Sequence, residues 1–237
     1  MKQIVAWLTG LFTVSFVASP AFTAPFTGYT ADQLPIPVLQ PPVQPAGYAF
    51  AIWGLIYTWL LVSAGYGIWK RSEDDDWHRA RLPLMASLAL GTPWLWMANT
   101  SAIGSTVLIF AMLVTALIAL LRSPAKDRWW LRTPVAIYTG WLSAAAFVSL
   151  GAVAPGYGLL MDAEGWAYVC IAVALLLAAV VQRRMIDTPA YGLTIIWALA
   201  GIIVANLGAN LGVAVLAAVG ITLMVLVILF RPGEDLT

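Results

Sequence analysis

A single cysteine, Cys170, and a single histidine, His78, stand in a chain of 237 residues. One thiol cannot close an intrachain disulfide, and a lone cysteine inside an apolar run is ordinarily inert packing. One histidine and one cysteine so far apart form no metal-ligand cluster, so no metal site is expected. Charge is scarce as well: Asp, Glu, Lys and Arg make up 10% of the residues, and the formal net charge is +1. That balance leaves no footprint for nucleic acid. No phosphate-cradling glycine loop and no Ser-His-Asp order can be written along the chain. A hydrolase would need a base, and only loop carboxylates or His78 could serve. The chain is therefore not expected to be an enzyme.

What fills the sequence is apolar. Hydrophobic residues make up 62% of it, where a soluble domain has roughly half, with about a quarter charged. Eight apolar runs are predicted to be membrane-spanning helices: 4–23, 48–69, 82–100, 103–121, 132–152, 166–182, 190–207 and 209–230. Most are long enough to cross ~30 Å of hydrocarbon. The loops test this count, because Lys and Arg gather on the cytoplasmic side. Lys2 precedes the first span. Lys70, Arg71, Arg79 and Arg81 follow the second, and Arg122, Lys126, Arg128 and Arg132 follow the fourth. Arg183 and Arg184 follow the sixth, and Arg231 the eighth. The intervening loops, 24–47, near 101, 153–165 and near 208, contain no Lys or Arg. The alternation places both termini in the cytoplasm. Residues 1–21 also have the features of a secretory signal, with Lys2, an apolar stretch and "SPA" as a small-residue cleavage site. A retained first helix is the preferred reading.

The spans carry no Asp, Glu or His, and Lys and Arg stay at their edges. Ionisable groups inside a membrane mark proton relays and ion-coupling sites. Their absence argues against a proton-coupled pump. The run "SEDDDWHRAR" is expected to be a solvated loop. The loop 24–47 holds six prolines, which favour extended geometry. It is either a stiff connector or a lid over the outer mouth. "ANLGANLG", at the join of the last two spans, reads as a tight hairpin capped by Asn and Gly.

Aromatic residues are the strongest positive signal. Tyr48 to Trp69 contains seven rings. An interfacial belt accounts for rings at the ends of a span, but not for Trp53, Tyr57 and Trp59 at mid-depth. Phe50, Trp53 and Tyr57 form one helical stripe; Tyr48, Trp59 and Tyr66 fall on the opposite side. Packing or a pocket for a flat apolar ligand would both use such rings. Trp94, Trp96 and Asn99 lie near the outer end of the third span, and Tyr138, Trp141 and Phe147 along the fifth. Trp7, Trp69, Trp77, Trp129, Trp130 and Trp166 are near span ends, where interface anchoring explains them.

"PAGYAFAIWGLIY", from Pro45 to Tyr57, resembles the start of the second helix in the TspO/MBR family of tryptophan-rich sensory proteins. The Trp-rich stretch Trp94–Asn99, the Pro134, Tyr138, Trp141, Phe147 pattern and the Pro-rich loop fit the same family. The resemblance covers residues 1–152. It implies a five-helix bundle with an aromatic cavity open toward the first loop. It also implies binding of porphyrins or other flat hydrophobic molecules, and dimerisation. Carried over, it would place Trp53, Tyr57, Trp94, Trp96, Asn99, Tyr138 and Trp141 around the ligand, with Asn99 as a polar contact. Three further helices, in 153–237, mark a longer, divergent member.

The expected architecture is thus an all-α polytopic bundle of about eight helices, a TspO-like five-helix region at 1–152 and three more at 153–237. The expected function is a receptor or sensor in a bacterial inner membrane. It would bind a flat hydrophobic ligand such as a tetrapyrrole, with membrane lipid and a second copy as partners and no resident cofactor. The alternatives are a permease for a small apolar or neutral solute, and a scaffold whose rings only pack.

Overall fold

A computed structural model describes residues 1–230, and all the regular structure among them is helical. Nine α-helices follow one another: α1 Lys2–Ala18, α2 Ile52–Arg71, α3 Asp75–Gly91, α4 Trp94–Thr100, α5 Ala102–Arg122, α6 Arg132–Gly156, α7 Ala163–Arg184, α8 Ala190–Asn206 and α9 Leu211–Leu229. Six helical segments are long and apolar enough to cross a membrane, and α8 is a shorter apolar helix. Arg231, assigned above to the basic side, lies outside the described residues.

The third predicted span is two helices rather than one. Pro93 lacks an N–H and disfavours helix in the residue before it, so the chain breaks between α3 and α4. α3 also begins earlier than the hydropathy indicates. Asp74 caps it, its Oδ1 accepting from the N–H groups of Asp76 and Trp77, and Asp75 and Asp76 stand in its first turn. Three acidic side chains suit the positive end of a helix dipole. Most of the run expected to be a solvated loop is therefore the first turns of α3.

The helices close a ring in which α1 touches α2, α2 touches α6, α6 touches α5, α5 touches α3 and α3 touches α1. α7 and α8 pack on α6, and α9 packs on both of them. α6 is the hub, buried along most of its length. Its sequence explains this, because Gly140, Ser143, Ala146 and Gly151 let neighbouring backbones approach closely in lipid.

The basic end of the ring is held by charge. Arg71 donates Nε and Nη2 to the two carboxylate oxygens of Asp127, at 2.6 and 3.2 Å, and Trp77 Nε1 donates to the same carboxylate at 3.1 Å. The Arg71 guanidinium holds the Asp127 carboxyl below the usual carboxylate range. Trp77, read above as an interface anchor, is instead buried between α2 and α3. Arg81 is buried too, its Nη2 donating to the carbonyls of Gly67 and Arg71 at the end of α2.

Candidate functional site

The aromatic stripe of α2 faces inward. Phe16 of α1 sits among three rings, edge-on to Trp53 at 5.9 Å, Tyr57 at 5.5 Å and Tyr138 at 5.7 Å between centroids. Trp53 stacks on Tyr57 at 5.2 Å and meets Trp141 edge-on at 6.2 Å. Phe50 meets Trp141 at 5.6 Å. Helices α1, α2 and α6 thus contribute to one continuous layer of rings. Gly91 of α3 makes room for it, since a Cβ there would lie 2.7 Å from the Phe16 ring. The opposite stripe has its own partners: Trp59 stacks on Trp129, Tyr66 on Trp130, and Tyr48 meets Trp197.

Above this layer is a cavity of about 70 Å³. Its walls include Phe50, Trp94, Trp141 and Ser149, with Ala198 and Ile202 of α8. Its roof is the Pro-rich loop, which contributes Phe26 and Tyr29. The loop is tied down at many points. Ile36 N–H donates to Gly156, Ala46 N–H to Gly201, Gln33 Nε2 to Ala98 and Asn206 Nδ2 to Pro42, all backbone carbonyls. The Tyr29 hydroxyl reaches into the bundle and bonds Ser149 at 2.5 Å and Ser105 at 3.0 Å, with Thr106 at 3.3 Å. The open alternative of connector or lid takes a concrete form here: the loop is a pinned cover.

Hydrogen bonding separates structural rings from available ones. Trp59, Trp77, Trp94, Trp166 and Trp197 each donate their indole N–H to a protein oxygen. Tyr138 bonds Ser87 at 2.9 Å and Tyr191 bonds Ser143 at 3.0 Å. These tips are satisfied, as burial requires. Among the described residues, the indoles of Trp53 and Trp141 and the hydroxyl of Tyr57 have no such partner. Trp7, Trp69, Trp96, Trp129 and Trp130 also lack one, but they are exposed; the unpartnered indoles that are not surface-exposed are Trp53 and Trp141, both in the ring layer.

Of the seven residues singled out from the sequence, Trp53, Tyr57, Tyr138 and Trp141 come together in the ring layer. Trp94 lines the cavity from its far wall. Trp96 faces outward, 59% exposed. Asn99 is exposed at the bundle end and donates Nδ2 to the carbonyls of Ala24 and Leu95, holding the start of the loop. The sequence reading missed Phe16, Phe26, Tyr29 and Ser149. Two of these, Phe26 and Tyr29, are the aromatic residues of the loop 24–47, and that was the available signal. Nothing local marks Ser149 or the α8 wall.

The hairpin of "ANLGANLG" forms, with α8 ending at Asn206 and α9 starting at Leu211, but not its expected caps: Leu207 stands at the end of α8, and Asn210 makes no side-chain cap bond to α9. Asn206 adds a role of its own, since its buried side chain anchors the loop through Pro42.

Neither the curated proteins nor the solved structures give a significant match. A family model described as "TSPO-like protein" matches residues 3–230. The match runs through α7, α8 and α9, well past the stretch 1–152 that carries the sequence resemblance. With apolar spans, a ring layer over three helices and a family match along nearly the whole described chain, this is an integral membrane protein belonging to the TSPO-like family.

Proposed function

We propose that this chain is a receptor- or sensor-type membrane protein that binds a flat hydrophobic ligand, a tetrapyrrole being the leading class, between the ring layer and the Pro-rich loop. The observation that carries this reading is the grouping of unpartnered donors, Trp53, Tyr57 and Trp141, against stacked rings and a roofed cavity. The cavity of about 70 Å³ is smaller than the roughly 300–1,000 Å³ of ordinary ligand pockets. Binding therefore requires the loop to lift, withdrawing Phe26 and Tyr29 from the space. In this reading the loop side faces the periplasm and the termini the cytoplasm of a bacterial inner membrane, an orientation supported by the gathering of Lys and Arg on one side. Transport of a small neutral solute is the less favoured reading, because Phe16, Trp53, Tyr57 and Tyr138 pack tightly together beneath the cavity.

The test is intrinsic tryptophan fluorescence of the purified protein, titrated with protoporphyrin. Saturable quenching is expected. Trp141→Phe removes one free donor and part of a stacking surface, and should weaken affinity about fivefold, the worth of roughly 1 kcal/mol. Linear quenching, unchanged by the substitution, would mean partition into detergent and end the proposal.

Tyr29→Phe tests the cover. It removes the bridging hydroxyl but leaves the Thr106–Ser149 bond at 2.7 Å in place. Loop opening should become easier by about 1 kcal/mol, and apparent affinity should rise up to about fivefold. Stopped-flow mixing should show the gain in the association rate. A fall in affinity would instead make the Tyr29 hydroxyl a ligand contact.

A further inference from the structure

A second concavity, of about 650 Å³, opens between α2, α6 and α8, away from the ring layer. Its walls are apolar, with Leu55 and Trp59 on α2, Ile137 on α6, Leu193 and Trp197 on α8, and Trp129 from the loop before α6. Two of the three wall indoles are already used as donors. Trp59 Nε1 donates to the Trp129 carbonyl at 2.9 Å, and Trp197 Nε1 to the Ala49 carbonyl at 2.9 Å. Trp59 and Trp129 stack with planes only 2° apart. The walls are thus held in place and offer hydrocarbon contact. In a bilayer no water is at hand to fill such a groove, and an unfilled one forfeits its dispersion contacts.

One end of the groove is different. Arg128, Asp187 and Thr188 stand there. Arg128 donates Nη1 to the Asp187 carbonyl at 3.2 Å, which uses one of the guanidinium's five donors. Thr188 is 1% exposed and lines the groove, and its Oγ1 has no hydrogen-bond partner among the described residues. A buried hydroxyl is not left so without cost. The segments that build this end, 123–133 and 183–190, carry Lys126, Arg128, Arg132, Arg183 and Arg184 against Asp127 and Asp187. Asp127 is already paired with Arg71, so the end is net basic.

We propose that this groove is a binding site for an anionic phospholipid of the leaflet at the basic end of the bundle. Its phosphate meets Arg128 and Thr188, and one acyl chain lies along Trp129, Ile137, Leu193 and Trp197. A basic end joined to a hydrocarbon trough matches the two ends of such a lipid, whereas a neutral sterol would leave the basic end without a counterpart. The site is independent of the ring layer and does not rest on its ligand.

The experiment is native mass spectrometry of the full-length protein in mild detergent, titrated with phosphatidylglycerol and with phosphatidylcholine. One phosphatidylglycerol per chain should be retained, bound about tenfold more tightly than phosphatidylcholine. Arg128→Gln should abolish that preference, and Thr188→Val should weaken phosphatidylglycerol several-fold. Leu193→Trp, which fills the trough, should remove both lipids while leaving the thermal unfolding midpoint in detergent near that of the parent, showing that the fold is intact. Equal binding of the two lipids, or an Arg128→Gln variant with its preference intact, would overturn the proposal. So would lipid retention by Leu193→Trp. Loss of a dimer on Leu193→Trp, with no lipid bound to the parent, would make the groove a contact between two copies and overturn it equally.

Discussion

Replacing Arg81 by methionine should lower the stability of the purified protein by about 3 kcal/mol, since hydrogen bonds to a charged group are worth roughly 1.5–3 kcal/mol each. Arg81 is 3% exposed, and its Nη2 donates to the carbonyls of Gly67 at 2.7 Å and Arg71 at 2.8 Å. The Arg71 carbonyl ends α2, where the helix carries the negative end of its dipole; it also accepts from the Asp74 N–H at 3.2 Å, and the Gly67 carbonyl lies one turn earlier. Methionine fills most of the volume but donates nothing, so both charge-assisted bonds are lost from a buried place. The guanidinium also lies 5.4 Å from the Trp77 ring, and Trp77 in turn holds Asp127. The loss should therefore loosen α2, α3 and the loop before α6 together. Arg81→Lys, which keeps the charge but not the fork, should fall between the two. Thermal unfolding in detergent measures this directly. A methionine variant as stable as the parent would mean that water replaces the guanidinium at no cost.

Gly140→Val should be comparably damaging, by about 3 kcal/mol, the upper end of the usual cost of overpacking. A Cβ at Gly140 would lie 2.8 Å from the Tyr191 carbonyl oxygen and 2.9 Å from Thr194 Cβ. The first of these is backbone and cannot swing aside, so α6 and α8 must separate. The bond between Ser143 and the Tyr191 hydroxyl lies at the same contact and would be lost. Ala198 and Ile202, which wall the cavity, belong to the displaced helix. Stability and protoporphyrin affinity should fall together, while Gly54→Ala, where no atom stands within 4 Å, should lower neither and should gain a little stability from helix propensity. Should Gly140→Val lose stability yet bind protoporphyrin normally, α8 would be no part of the site.

The inward stripe of α2 shows how far periodicity reaches. Phe50, Trp53 and Tyr57 were readable as one face because helical spacing is a property of neighbours in sequence. Which face turned inward was not readable, since the opposite face carries as many rings. The structure resolves it through Phe16 and Trp141, and through Trp129 and Trp197 on the other side. Trp96 and Asn99 illustrate the reverse case. Both lie in an aromatic-rich helix end, but the break at Pro93 rotates that end, and Trp96 faces outward.

By itself the sequence determined the solvent, the helical class and the positions of most of the spans, because hydropathy is summed along the chain. It also marked the family through a short run before and within α2. The tertiary structure alone decided that Phe16 stands at the centre of the rings, that Tyr29 reaches across 76 positions to Ser105 and 120 to Ser149, and that Arg81 is buried at the end of α2. Those facts depend on pairs of residues far apart in the chain. Their meeting is set by which small residues let two helices approach, and no local pattern in either partner records it.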